Sequence, residues 1–406
     1  MRLLQETNNK IRLMNITFLL RLWPVYGGGE TVTICLANEM IKRGWNVSVL
    51  YFKNNTRTDL PFIDPAVKAV QIPDIRCDEF TTRFPDADKV TGYLKEYIQE
   101  NDIHYLVNQW WPVEYIRGIR GRYKTKIITC LHQALYTPMI EGTGINGFLK
   151  KRCTSLYKFW KKRHSCRQVT KFLPHTDKYI FLSPAFQRQY EQFANYKNTN
   201  SQLGAIPNPL VFPNEIRPED LQSKEKTVLL VGRMVEIQKR ITRAIKIWSA
   251  IENDPRLDEW NFRIVGEGPD LAMYKQLTQA LGLKRISFEG FRNPQPYYKQ
   301  AAIFMMTSAF EGFPMTLVEA QQCGVVPVVM DSYLSLHDIV ETGYNGIIVS
   351  NEDLTGYVNK MKELMTDTSL REKLAMKGLH SCRRFCVEEI VNNWEELFND
   401  LSANRR

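Results

Sequence analysis

Glu311 and Glu319 are separated by seven residues, among them Gly312 and Pro314, where an apolar run gives way to a helical pattern. The backbone through Phe313, Pro314, Met315, Thr316 and Leu317 would open that helix, and the first amides of a helix lack partners within it. A diphosphate sits favourably at such a terminus. Glu319, about one turn in, is spaced to accept both hydroxyls of a ribose, and Glu311 to face the group beyond the phosphates. Gly232-Arg233, with Lys239 six residues on, would set two cations at another strand end. Arginine grips phosphate as a fork and lysine as a point charge, a combination suited to a pyrophosphate leaving group. Gly266-Glu267-Gly268-Pro269 is a further strand-to-helix turn, and Gly290-Phe291-Arg292 would border the same cleft, where a nucleobase could rest.

A second glycine loop, Gly27-Gly28-Gly29, lies between the first apolar run and the first helical pattern. Its amides could approach a phosphate. A nicotinamide site would need a third glycine where Val32 stands and an acid ending the next strand, which instead ends in Phe52-Lys53. That reading is set aside.

The elements that must hold these groups alternate. The strand Asn15 to Leu20, the glycine loop, a helix carrying Val32, Leu36, Ala37, Met40 and Ile41, and the strand Asn46 to Tyr51 form a βαβ unit. Strands are expected at His104 to Asn108, Lys126 to Leu131 and Tyr179 to Leu182. A second series follows at Thr227 to Gly232, Asn261 to Val265, Ile286 to Glu289, Ile303 to Thr307, Val325 to Met330 and Gly346 to Val349. Ile206 to Pro213, with three prolines, reads as a linker. Two doubly wound α/β domains result, residues 1–205 and 206–385. The amphipathic tail 386–406 would be a helix crossing back to the first. Such sheets bind ligands at the carboxyl ends of their strands, so facing domains share one cleft.

The length of 406 residues suits two domains, and 44% hydrophobic with 24% charged residues excludes a disordered or collagen-like chain. No apolar run reaches the roughly 18 residues of a membrane span. Eight scattered cysteines without a C-x-x-C pair suggest reduced thiols and a cytoplasmic protein. Charge is divided unevenly: residues 1–200 carry 30 Lys+Arg against 17 Asp+Glu, and residues 201–406 carry 24 against 27.

The ordered set Gly232-Arg233 with Lys239, Gly266-Glu267-Gly268-Pro269, Phe288-Glu289-Gly290, and Ser308-Ala309-Phe310-Glu311-Gly312-Phe313-Pro314 with Glu319-Ala320 resembles the family four glycosyltransferases. The likeness is dense from about residue 227 to 350. It is looser in the first half, where the Gly27 to Gly29 loop and His132 fit. It implies a GT-B fold and retaining transfer of a hexose-type sugar from a UDP- or GDP-linked donor to a glycan or lipid-linked glycan, in bacterial surface polysaccharide synthesis. The nucleotide sugar would be a co-substrate, with no cofactor and no metal. His132, Glu311, Arg233 and Lys239 would be catalytic. Gly28, Gly29, Gly266, Phe291, Phe313, Pro314, Met315, Thr316, Leu317 and Glu319 would hold the donor. Asp331-Ser332-Tyr333-Leu334-Ser335 replaces the family's small, glycine-rich loop near the donor sugar. An epimerase or phosphorylase on the same fold, and a non-enzymatic basic binding protein, are the alternative readings.

Asp86-Ala87-Asp88 spells the D-x-D of metal-dependent transferases, but it precedes a helix far from the other motifs and reads as capping and solvated charge. Residues 146–171 hold nine lysines and arginines, with Leu149, Cys153, Leu156 and Trp160 on one expected helical face. A basic amphipathic helix suits an anionic membrane surface, here the inner face. No nucleic-acid motif accompanies the charge.

Overall fold

The computed structural model describes residues 13–24, 28–54, 62–73, 86–109, 111–136, 154–212 and 216–403. Gly27 and residues 146–153 lie outside them, as do the side chains of 154–158, including Lys158 and Leu156.

Nearly every central strand is buried along most of its length, as parallel strands covered on both faces must be. Seven belong to a first sheet: β1 (Asn15–Leu19), β2 (Asn46–Tyr51), β3 (Lys68–Gln71), β4 (Tyr105–Asn108), β5 (Lys126–Leu131), β6 (Lys178–Phe181) and β7 (Leu203–Ala205). They lie in the order β3-β2-β1-β4-β5-β6-β7 and pair in parallel. Six form a second parallel sheet: β8 (Glu225–Val231), β9 (Asn261–Val265), β10 (Ile286–Gly290), β11 (Ala301–Met306), β12 (Val326–Asp331) and β13 (Ile347–Ser350). Their order is β10-β9-β8-β11-β12-β13.

The period of two along each strand divides every core in half. In the second sheet Val228, Leu230, Ile303 and Met305 face one cluster, and Leu229, Phe304 and Met306 the other. In the first, Leu19, Leu50 and Leu106 oppose Phe18, Val49 and Val107.

The terminal helix (Val387–Ala403) inserts Ile390, Val391, Trp394, Leu397 and Phe398 into the core beneath α1 (Gly28–Lys42). Arg43 of the first half bonds Asn392, Glu395 and the carbonyl of Glu388, and Tyr105 Oη donates to the Phe398 carbonyl at 2.8 Å. The two crossings of the chain lie side by side: Leu210 N donates to the Phe385 carbonyl at 2.7 Å.

Candidate active site

The motif residues collect at the carboxyl ends of the strands of the second sheet. After β8 the chain makes a short helix, α2 (Glu236–Lys239), and leaves it through Arg240 in the left-handed region, φ 51°. Ala309 N donates to the Gln238 carbonyl at 2.7 Å, and Thr307 Oγ1 to the Lys239 carbonyl at 3.1 Å, which ties α2 to the end of β11. Lys239 thereby crosses the end of β8. A Cβ on Gly232 would stand 3.2 Å from its Cε.

Lys239 Nζ meets Glu311 Oε1 at 2.7 Å, with the two side chains 13% and 8% exposed. The other oxygen of Glu311 accepts from Gln238 Nε2 at 3.2 Å, and Gln238 Oε1 accepts from Arg233 at 3.2 Å. Arg233 is exposed. One continuous chain of polar contacts thus links both cations to one carboxylate.

The loop from β11 reaches α3 (Met315–Gln322), which starts at Pro314 with no side-chain cap. Leu317 N already donates to the Pro314 carbonyl at 2.9 Å. Its expected role as an open donor is therefore corrected, and the helix opens with Met315 and Thr316. The side chains nearby do structural work. Phe313 is buried edge-on to Phe385 at 5.4 Å, and Met315 packs against the cores of both halves.

Glu319 is 7% exposed and accepts from Tyr298 Oη at 3.0 Å. Burial pushes its pKa up to about 7, against the lowering pull of the Tyr298 hydroxyl and the Lys239 charge. Tyr298 is itself buried, and the ammonium of Lys224 is held by the carbonyls of Tyr298, Lys299 and Cys323 at 2.9, 2.8 and 2.6 Å.

Gly266 is explained by its neighbours. Its φ is +139°, its amide donates to the Gly290 carbonyl at 2.8 Å, and a Cβ would lie 2.0 Å from the Gly232 carbonyl oxygen. Its amide is thus engaged, and the position needs a glycine for the close packing of two loops. Phe291 follows β10 and is half exposed.

From the first half, β4 and β5 bring Gln109 and His132 to the same level. His132 Nε2 bonds Gln109 Oε1. Burial pushes the His132 pKa down to about 4, so the ring is neutral. The His132 carbonyl oxygen would stand 2.8 Å from a Cβ on Gly312, so the two walls touch at this point. Gly28 and Gly29 open α1, and the Gly29 carbonyl accepts from Thr33. Glu30 in that first turn has a pKa raised by burial.

Reading the sequence did not single out Gln238, Tyr298 or Gln109. Gln238 adjoins Lys239, and that adjacency was the available signal. Asp86 stands at the N-cap of the helix Ala87–Glu100, but its side chain makes no capping bond. Among the described residues no group of three or more His, Cys, Asp or Glu is placed to hold a metal ion.

Residues 26–210 match the family described as Glycosyltransferase Family 4, and residues 211–380 the family described as Glycosyl transferases group 1. The chain belongs to the family four glycosyltransferases. The GalNAc-alpha-(1->4)-GalNAc-alpha-(1->3)-diNAcBac-PP-undecaprenol alpha-1,4-N-acetyl-D-galactosaminyltransferase of Campylobacter jejuni is 23% identical over 397 residues, covering 96% of this chain and 99% of that protein. The exopolysaccharide phosphotransferase SCO2592 of Streptomyces coelicolor is 28% identical over 207 residues, and the match spans 50% of this chain but only 21% of that longer protein. Among solved structures, Anabaena HepE in complex with UDP superposes with a TM-score of 0.69 at 18% identity, over 95% of this chain and 100% of that one. The architecture is the GT-B fold, and the glycosyltransferase is a nucleotide-sugar-dependent enzyme.

The basic helix Thr154–Phe172 turns Cys166, Val169 and Phe172 inward. Trp160, of the expected apolar face, is 57% exposed beside an equally exposed Phe159, while Leu149, Cys153 and the Leu156 side chain lie outside the described residues. Lys161 and Lys162 lie over the rings of Tyr136 and Phe193. No helix among the described residues is long and apolar enough to cross a membrane.

Proposed function

We propose that this glycosyltransferase moves a hexose-type sugar from a UDP-linked donor to a glycan or lipid-linked glycan, with retention of anomeric configuration. The observation that carries the reading is the meeting of Lys239 and Glu311 at 2.7 Å, beside the uncapped start of α3 and with Glu319 one turn within that helix. In this scheme the diphosphate lies between Arg233, Lys239 and the amides of Met315 and Thr316. Those fixed positive groups stabilise the charge that grows on the leaving group. They serve in place of a metal ion. Glu319 accepts from the ribose hydroxyls and Glu311 directs the sugar. Neutral His132 offers a hydrogen bond from the opposite wall. A GDP-linked donor is the other member of the same class.

The solved neighbour with UDP favours the uridine nucleotide, and the undecaprenol-linked substrate named for the Campylobacter relative favours a lipid-linked acceptor in surface polysaccharide synthesis. The exposed Phe159 and Trp160, among the exposed Lys162, Arg163, Arg167 and Lys171, support contact with an anionic bilayer at the cytoplasmic face.

The test is to incubate the protein with a panel of UDP- and GDP-sugars and undecaprenyl-pyrophosphate glycans. UDP release with an α-configured product, followed by NMR, is the expected result. An inverted product refutes retention. Absence of nucleotide release from every donor, with no thermal stabilisation by UDP or GDP, refutes the donor site. Co-sedimentation with anionic vesicles, lost on replacing Lys158, Lys161, Lys162 and Arg163 by glutamine, tests the bilayer contact.

A further inference from the structure

The acidic and basic groups of the donor wall are joined through a residue that carries no charge. Gln238 Oε1 accepts from Arg233 Nη2 at 3.2 Å, and Nε2 of the same amide donates to Glu311 Oε2 at 3.2 Å. A guanidinium can only donate and a carboxylate can only accept, so the two partners fix which end of the amide points where. Glu311 is then held at both oxygens, by Lys239 on one and Gln238 on the other. Arg233 is exposed, and a free arginine loses rotamer entropy when it is ordered.

We propose that Gln238 is a positioning residue for the transfer: its amide sets Arg233 and Glu311 in register, so that the group facing the leaving diphosphate and the group facing the sugar are aligned before the donor arrives. The proposal rests on the donor-site reading above. It adds that these two groups, being aligned in advance, supply part of the rate, as the geometry of a near-attack complex requires.

The side chain can be tested apart from the fold. The backbone of Gln238 is fixed by its own contact, the carbonyl accepting from Ala309 N at 2.7 Å, and any residue here keeps that bond. Gln238→Met matches the length and removes both contacts. Gln238→Glu keeps an acceptor for Arg233 but turns a carboxylate, with no donor, towards Glu311. Gln238→Met should melt close to the wild type, and Gln238→Glu, which sets two carboxylates against each other, should melt lower. Gln238→Met should lower kcat about tenfold, the scale of hydrogen bonds to charged groups, with donor KM changed less than about threefold. Gln238→Glu should lower kcat at least as far, while free UDP inhibits as well as it inhibits the wild type, because Arg233 is still held.

Wild-type kcat in Gln238→Met overturns the proposal. So does a joint loss of melting temperature and UDP inhibition in both variants, which would mark a structural role. Arg233→Ala and Lys239→Ala, assayed alongside, separate the two levels. If they abolish transfer while Gln238→Met keeps the wild-type kcat, the alignment idea fails and the donor site stands. If they too are silent, the donor site itself is wrong and the proposal falls with it.

Discussion

At the ends of its strands the second half of the molecule presents Arg233, Lys239, Glu311 and Glu319, whereas the first presents Gln109 and His132, a neutral pair. Bulk charge runs the other way. Residues 1–200 have an excess of 13 positive charges and residues 201–406 an excess of 3 negative ones. The cationic half therefore brings neutral groups to the cleft, and the nearly balanced half brings paired charges. Net charge describes the outer surface and its partners, and here much of it lies on the exposed side of helix Thr154–Phe172. The chemistry depends on a few charges placed against each other where water is scarce. A leaving diphosphate needs fixed cations from one wall, while an acceptor approaching the other is better met by groups that carry no competing charge.

Removing a paired charge should have the largest effect. Lys239→Ala takes a cation from the leaving group and leaves the buried Glu311 without its ion pair. Transfer should fall by about 2–4 kcal/mol of transition-state stabilisation, and the melting temperature should fall with it. Arg233→Ala should lose activity on the same scale with little change in melting, because Arg233 is exposed. Steady-state kinetics and thermal unfolding of the pair check both statements. Equal melting losses would mean that the two cations are not divided into buried and exposed as described.

The contact between the walls comes next. In Gly312→Ala the new Cβ would stand 2.8 Å from the His132 carbonyl oxygen and 3.0 Å from Gln133 Cα, both backbone atoms that cannot swing away. Overpacking of this kind costs about 1–3 kcal/mol. The walls should be forced apart, with a lower melting temperature and slower transfer. Unchanged values would show that the walls stand clear of each other in solution.

Whether a feature is local decided how far the sequence alone could reveal it. The Glu311 to Glu319 spacing is carried by one loop and one helix, and Ala301–Met306 is a strand whose apolar run is continuous, so both were legible in sequence. β3 and β7 were not. Lys68–Gln71 is largely exposed and Leu203–Ala205 is three residues long, and such edge strands lack the apolar run that marks a buried one. On helix Thr154–Phe172 the buried residues Cys166, Val169 and Phe172 were not singled out in the sequence, because the lysines and arginines between them hide the apolar face that packs on the domain. Tyr298 meets Glu319 across 21 residues, and Gln109 meets His132 across 23. Neither partnership has a sequence pattern, because each depends on which strands and helices become neighbours.

Glu319 should respond to pH more gently. Its pKa, raised from 4.5 to about 7 by burial, means that the folded protein favours the protonated carboxyl. The resulting contribution to stability is complete below the unfolded pKa and is lost as pH rises through about 7. In the proposed donor site ribose binding has the opposite requirement, since only the carboxylate accepts from both hydroxyls. UDP affinity should therefore weaken as pH falls from 8 towards 6, by about tenfold at most per unit. Glu319→Gln should bind UDP more weakly at pH 8, lose that pH dependence, and gain melting temperature relative to wild type at pH 8. Calorimetric titration with UDP at several pH values checks the first two statements. An equally steep profile in the variant would assign the titration to another group.

The smallest effect should come from His132, on the neutral wall. Its ring is already uncharged above about pH 4, because burial disfavours the imidazolium. A histidine with its ordinary pKa of 6.5 would place a limb in the pH profile of transfer within the working range. This one should place none. His132→Asn keeps a hydrogen-bonding side chain and should lower kcat, yet the shape of the profile between pH 5 and 8 should match the wild type once Glu319 is accounted for. The double variant with Glu319→Gln isolates the point: its profile should be flat where that of Glu319→Gln alone is flat. A limb near pH 6.5 that vanishes with His132→Asn would show the ring exchanging a proton with water or substrate. The first wall would then carry a charge of its own, and the contrast between the two halves of the cleft would have to be redrawn.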